Sequence, residues 1–424
     1  LGQISGKICR ANSTSIITHL IIIEKSLKQI DGFWNLDEKT KEKEVNNYKI
    51  VMLGSSGSGK TVFLSSIFHE LSTQGERGFF LRVEGKGNQA LLTRLYQQVA
   101  IKKEWPSGTK LSDVSELTFT CYVQAENLSI FPTFQFTYLD YAGGRLTDDS
   151  DDELDNEFEA EIQRADALLG LLDGDKLLKA LRGDNFASNT LHLMDLTNIL
   201  QRMQNNSKAP IYFVVSKWDL LEDEFTLEDI VAFLMQSDSF KNLVKQHNKN
   251  QSAVRLIPVS SVGRGFAVPQ PDGSMQKTGK LPKPFQVEMP LACVVPDILQ
   301  HHLNQLNQQK ERESARVVDI KPTITLWDKA GEFLGNSINV MSYFLPSDFV
   351  SDKVLDKVSE FASSGARKKR EEAAKRSEEL RQERDKTLQV VEDEATAVRH
   401  TITSFAHIRQ VLVHQFPASD LRFE

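Results

Sequence analysis

The sequence predicts an α/β protein: a three-layer α/β/α arrangement around a mostly parallel central sheet, with an N-terminal extension and a C-terminal helical region. The first supporting observation is a set of short apolar, β-branched runs, Tyr48–Leu53, Ala165–Leu172, Ile211–Val215 and Val254–Val259. Their near-continuous hydrophobicity is that of strands buried on both faces. The second is that helical stretches separate them, Leu191–Met203 and Leu227–Leu243 among these, which makes a βαβ series with crossover helices. The third is local. The run Tyr48–Leu53 passes through a glycine-rich loop into Thr61–Leu71, where Val62, Ile67, Phe68 and Leu71 fall near helical spacing.

That loop, Gly54-Ser55-Ser56-Gly57-Ser58-Gly59-Lys60-Thr61, fits G-x-x-x-x-G-K-[ST], the phosphate-binding pattern of nucleoside triphosphatases. Gly54, Gly57 and Gly59 let successive backbone N–H groups converge on a phosphate at the positive end of the following helix. Lys60 is expected to reach the β- and γ-phosphates, and the Thr61 hydroxyl to ligate Mg²⁺. The alternative is a Gly/Ser turn with no ligand.

Three further segments stand at the expected C-terminal tips of strands. Phe134–Leu139 reads as a strand that delivers Asp140-Tyr-Ala-Gly143, a D-x-x-G element. Asp140 would hold Mg²⁺ through water, and the Gly143 N–H would meet a γ-phosphate oxygen; the same four residues also suit an ordinary turn. Ile211–Val215 runs into Ser216-Lys217-Trp218-Asp219. A carboxylate there can accept two hydrogen bonds from guanine N1–H and the 2-amino group, a donor pair that adenine lacks. Asp219 is therefore the expected base reader, with the Lys217 stem lying over the base plane; a helix N-cap is the alternative. Val254–Val259 ends in Ser260-Ser261-Val262-Gly263, where a backbone N–H could contact the guanine O6.

In this order the elements resemble those of the GTPase class of P-loop NTPases, over roughly residues 48–311. SKWD is similar to the [N/T]-K-x-D motif, with Ser216 in first position, and Ser260-Ser261 to the S-A-x element, with Ser261 in place of Ala. Trp105-Pro-Ser-Gly-Thr109 resembles a segment of bacterial double-GTPase domains. That likeness implies that Thr109 closes on Mg²⁺ and the γ-phosphate; a plain turn ending at Thr109 is the other reading. Such proteins commonly place a water-orienting Gln after D-x-x-G, but here Gly144 follows, then Arg145. Arg145 could stabilise charge in cis or be a solvated loop residue. The resemblance implies GTP/GDP and Mg²⁺ as ligands, Lys60, Thr109, Gly143 and Arg145 as the residues nearest the chemistry, and slow hydrolysis. An interaction scaffold that binds nucleotide with little hydrolysis is the alternative, and an ATP-dependent P-loop protein a third.

Composition bounds the rest. At 424 residues, 40% hydrophobic and 26% charged, the chain has ample capacity for a core and one further element. A net charge of −7 argues against general nucleic-acid binding. Cys9, Cys121 and Cys293 are too few and scattered for a disulfide framework or zinc site, which favours a reducing cytoplasm. Ile16–Ile23 is apolar but far shorter than the about twenty residues a membrane span requires, and is read as a packed helix or strand. A start at Leu1 suggests a processed chain or a fragment.

The expected organisation is an extension and linker over 1–47, a nucleotide domain over 48–311, and a docking segment with long helices over 312–424. Asp148–Glu161, with nine carboxylates, reads as a solvated loop presenting charge to a partner. Pro269, Pro271, Pro282 and Pro284 mark a long loop before a helix from Pro296 to Leu306. From Ser351 to Val413 the residues favour helix throughout, with Gly365 as the one interruption. Opposite charges four apart after Arg367 support a solvated helix, and the more apolar Val390–Leu412 could pair with another. A protein effector acting through the mobile loops and these helices is the expected partner.

Overall fold

The computed structural model describes residues 45–106, 115–140, 152–204, 206, 208–270, 274–314 and 365–422. In chain order the principal elements are β1 (Asn46–Gly54), α1 (Lys60–Glu70), β2 (Phe80–Val83), α2 (Lys86–Ile101), β3 (Ser115–Gln124), β4 (Ile130–Asp140) and α3 (Asp152–Arg164). There follow β5 (Ala167–Asp173), α4 (Gly174–Leu181), α5 (Asn185–Thr190), α6 (Thr197–Met203), β6 (Ile211–Ser216), α7 (Leu227–Leu234), α8 (Asp238–Lys249) and β7 (Val254–Pro258). A short hairpin of β8 (Ala267–Pro269) and β9 (Met275–Lys277) precedes α9 (Met289–Ser314), and α10 (Gly365–Gln389) and α11 (Glu394–Gln415) complete the series.

Seven strands form one mostly parallel sheet in the order β2-β3-β4-β1-β5-β6-β7. The parallel half runs through β1, β5, β6 and β7, pairing Gly54 with Leu171, Asp173 with Ser216 and Val215 with Pro258. The carboxyl ends of these strands therefore lie along one edge. β2, β3 and β4 are antiparallel neighbours, and the β3–β4 pair is the expected hairpin.

Strand alternation sends apolar residues to both faces. Val51, Leu53, Leu168, Leu172, Phe213, Val215 and Leu256 join a core with residues of α3 to α8. Tyr212 and Arg255 alternate to the opposite face, where both meet Asp297 of α9. On that side α11 lays Phe405 against Phe79, Phe134 and Phe136. Its His400 is fully buried, with Nε2 donating to the Gly78 carbonyl at 3.0 Å and Nδ1 3.0 Å from Thr387 Oγ1. Gly78 has φ +81°, and a Cβ there would stand 2.6 Å from His400 Nε2, so only glycine suits that turn.

Three expectations are corrected. Asp152–Arg164 of the acidic stretch is helix: Phe158 and Ile162, four residues apart, are both buried and dock it on the sheet. The C-terminal helix is broken at 390–393, where Asp393 and Thr396 make a capping box that starts α11 folded back on α10. The proline-rich loop contains the β8–β9 hairpin, and the helix beyond it begins at Met289 with Pro296 in its interior. Ile16–Ile23 and the docking segments around Trp327 and Tyr343 lie outside the described residues. Among the described residues, no helix is long and apolar enough to cross a membrane.

Charge is buried where the C-terminal elements meet β7. The Arg255 guanidinium donates to both Asp297 oxygens at 2.6 Å, and Arg409 of α11 donates to Oδ1 at 2.9 Å. Asp420 Oδ2 lies 3.3 Å from Arg255, and Leu421 N donates to Val254 O, so the tail extends the sheet edge. Burial alone would raise the Asp297 carboxyl, but the Arg255 and Arg409 guanidiniums hold it below the usual range.

Replacing Asp297→Ala would strand two buried guanidiniums, and urea unfolding should show a loss of roughly 3–5 kcal/mol. A second expectation concerns pH. Burial lowers His247 and His400 from 6.5 to about 4, so between those values the unfolded chain binds more protons than the folded one. Their stabilisation is complete above about 6.5 and falls on acidification towards 4, at up to about 1.4 kcal/mol per pH unit for each group. Thermal unfolding across that window should show the decline, and His400→Gln should make it shallower.

Candidate functional site

The site is built on the carboxyl edge of the parallel strands, where open α/β sheets receive ligands. Gly54–Lys60 joins β1 to α1, and its shape follows from its glycines: Gly57 and Gly59 take φ +80° and +96°, left-handed values that disfavour any side chain. Gly54 is constrained by contact instead, since a Cβ there would lie 2.7 Å from Ser58 Oγ and 3.2 Å from Leu171 O. The Ser58 amide donates to Ser55 O at 3.2 Å and closes the turn.

Several features of this loop suit an anion. The N-cap of α1 is Gly59, with no side-chain cap and no acidic residue in the first turn, which leaves the positive end of the helix open to a ligand. Lys60 is buried, its Nζ donating to the Gly54 carbonyl at 2.7 Å, so the ammonium is held over its own loop. Ser58 Oγ is fully buried and accepts or donates no hydrogen bond. An orphaned hydroxyl of this kind costs free energy unless a ligand satisfies it. Ser55 and Thr61 are half-buried, and Ser56 is exposed.

The second half of the site lies at the ends of β6 and β7. Asp219 Oδ1 accepts a 2.5 Å hydrogen bond from Ser260 Oγ, and the same oxygen of Ser260 accepts from Gly263 N at 2.7 Å. Burial raises the Asp219 carboxyl, with the Ser260 bond and the Lys217 charge opposing. Lys217 adopts φ +53° and places Nζ 2.8 Å from Asp173 Oδ2, at the end of β5. Ser216 is buried and donates to Leu172 O at 2.9 Å, so this side chain ties its loop to β5.

The two halves are joined directly. Ser66 of α1 donates through Oγ to the Ser261 carbonyl at 2.8 Å, linking the helix behind the glycine loop to the loop behind Asp219. The structure thus gathers Gly54–Thr61, Ser216, Lys217, Asp219, Ser260 and Ser261 along one sheet edge. β4 neighbours β1 and ends on Asp140, of which only the backbone is described. Thr109, Gly143 and Arg145 lie outside the described residues. Trp105, which opens the Thr109 segment, is anchored: its Nε1 donates to Met275 O at 2.6 Å and its ring lies 4.6 Å beneath Lys277 Nζ. That ammonium also donates to the carbonyls of Gln98, Val99 and Lys102, capping the end of α2.

Sequence reasoning missed Ser66, Asp173 and Gly174. Asp173 was visible as a carboxylate ending an apolar strand, but its pairing with Lys217 spans 44 residues and has no local signal. Gly174 is required by approach: a Cβ would lie 2.2 Å from Ser216 O. Gly174→Ala should therefore push the β6 loop away and lower unfolding stability by about 1–3 kcal/mol, measurable by thermal denaturation. No model of a known protein family matches this chain, and no curated protein matches it.

Proposed function

We propose that this chain is a GTP-binding protein of the P-loop NTPase fold, acting as a slow GTPase switch whose C-terminal helices relay nucleotide state to a protein partner in the cytoplasm. The observation that carries the reading is the placement of the Asp219 carboxylate and the glycine loop on one sheet edge, joined by the Ser66–Ser261 hydrogen bond.

The residues fit the chemistry that GTP would demand. The α1 amides and the orphaned Ser58 hydroxyl supply donors for phosphate oxygens. Lys60 exchanges its Gly54 carbonyl for phosphate and places a positive charge where negative charge accumulates. Asp219 accepts from guanine N1–H and the 2-amino group, a pair of donors that favours the ionised carboxylate its burial disfavours. Magnesium, when bound, neutralises charge on the phosphates; Thr61 and Asp140 are the residues that would hold it, with Thr109 closing on it. Gly143 would sense the γ-phosphate and Arg145 would stabilise charge.

Gly144 supports a second reading, a nucleotide-stabilised scaffold with little hydrolysis, because glycine cannot orient a water molecule. Single-turnover hydrolysis with and without cell extract separates the two.

Titration with fluorescent GDP in Mg²⁺ should show displacement by unlabelled GDP and GTP and none by ATP at the same concentration. Asp219→Ala should lose at least about tenfold in guanine-nucleotide affinity. Equal displacement by ATP, or unchanged affinity in the variant, would sink the guanine assignment.

A further inference from the structure

The peptide that follows α11 reaches both partners of the base-reading pair. Phe416 is the C-cap of α11, its N–H donating to Leu412 O at 2.8 Å. Its ring meets Trp218 edge-on, with centroids 5.8 Å apart and an interplanar angle of 89°. It meets Phe285 in a similar way at 6.3 Å and 75°.

Each contact leads to the Asp219–Ser260 hydrogen bond by a short route. Trp218 immediately precedes Asp219, is 3% exposed, and donates its N–H to Val259 O at 3.1 Å. Phe285 pairs with Ser260 through both backbone bonds, at 3.1 and 2.7 Å, in an isolated antiparallel bridge. Ser260 then donates to Asp219 through Oγ. One aromatic ring is therefore wedged between the residue before the carboxylate and the residue paired with its hydroxyl partner.

Phe416 is itself held from both sides. Gln415 beside it accepts from Gln286 Nε2 at 2.5 Å. Beyond it the Pro417–Ser419 turn leads to Asp420, paired with Arg255, and to Leu421, bonded to Val254. The wedge is thus fixed to the edge strand that delivers Ser260, and removing the ring would leave Trp218 and Phe285 without a shared surface.

We propose that Phe416 is a positioning residue for base selection: by buttressing Trp218 and Phe285 it sets the distance between Asp219 and Ser260, and so the fit of the carboxylate to a purine bearing a 2-amino group. This rests on the guanine-nucleotide reading above. The C-terminal segment, far from the glycine loop in sequence, then belongs to the specificity apparatus.

The test compares GDP with inosine diphosphate, which keeps N1–H and lacks the 2-amino group, on the full chain. Wild-type protein should prefer GDP. Phe416→Ala should lower the GDP to inosine diphosphate affinity ratio by at least about fivefold, chiefly through weaker GDP binding. Phe416→Tyr, which keeps the ring, should restore the ratio. Phe405→Leu, which weakens α11 against β4 without touching the wedge, should lower the melting temperature and leave the ratio unchanged. Should Phe416→Ala not fold, Phe416→Leu takes its place, since it keeps volume and loses the aromatic edge. An unchanged ratio in the folded variant, or equal loss of both diphosphates, would overturn the assignment and leave Phe416 a packing residue. Wild-type protein that binds neither diphosphate would overturn the guanine reading, an outcome read before any Phe416 variant is compared.

Discussion

A buried ion pair governs how the sheet ends. Arg255 sits in the middle of β7, between Val254 and Leu256, and its side chain is 1% exposed. A guanidinium taken out of water must find a carboxylate and fill its remaining donors. Asp297 provides the bidentate partner from α9, and it can do so only with α9 against the Tyr212 face of the sheet. Arg409 and Asp420 complete the cluster, so α11 and the tail are drawn to the same point. The edge strand is thereby covered by elements from the far end of the chain, and its loop, carrying Ser260 and Ser261, rests on them.

The glycine loop obeys a different constraint, one of backbone geometry and unsatisfied donors rather than buried charge. Its positive φ angles at Gly57 and Gly59 arise because the chain must leave β1, reverse and enter α1 within a few residues. The conformation leaves an uncapped helix end, an orphaned Ser58 hydroxyl and an ammonium bonded only inward to carbonyls among its printed partners. Such an arrangement is stable alone but better satisfied by an anion, which is why it points to function while the Arg255 cluster points to architecture.

Much of the parallel half was legible because its signals are local. An apolar run of strand length, a glycine pattern and a polar tip can each be read within about ten residues, and the strand ends carrying Gly54, Ser216 and Ser260 lie where those runs stop. What escaped is non-local or amphipathic. The carboxylates of 148–161 hid a helix whose burial depends on Phe158 and Ile162 alone among nearby large apolar residues. The break at 390–393 is set by the Asp393–Thr396 capping box, a cue that helix propensity summed along the segment conceals. The Ser66–Ser261, Lys217–Asp173 and Arg409–Asp297 bonds join residues 195, 44 and 112 positions apart. No pattern within either partner announces them.

These long-range contacts give α11 a position that no local reading assigns. The helix spans 22 residues, about 33 Å at 1.5 Å per residue, and its two regions of aromatic contact differ in what they touch. Phe405 packs on β4, the strand that ends at Asp140; Phe416, just past the helix end, packs on the loop that carries Asp219. A hydrogen-bonded helix transmits displacement along its axis with little internal give, whereas the loops at either side yield readily. Under the switch reading, movement at the phosphate-sensing strand and fit at the base-reading loop are therefore mechanically connected through one element. The Arg409–Asp297 bond between those two regions supplies the fixed point against which such movement would turn.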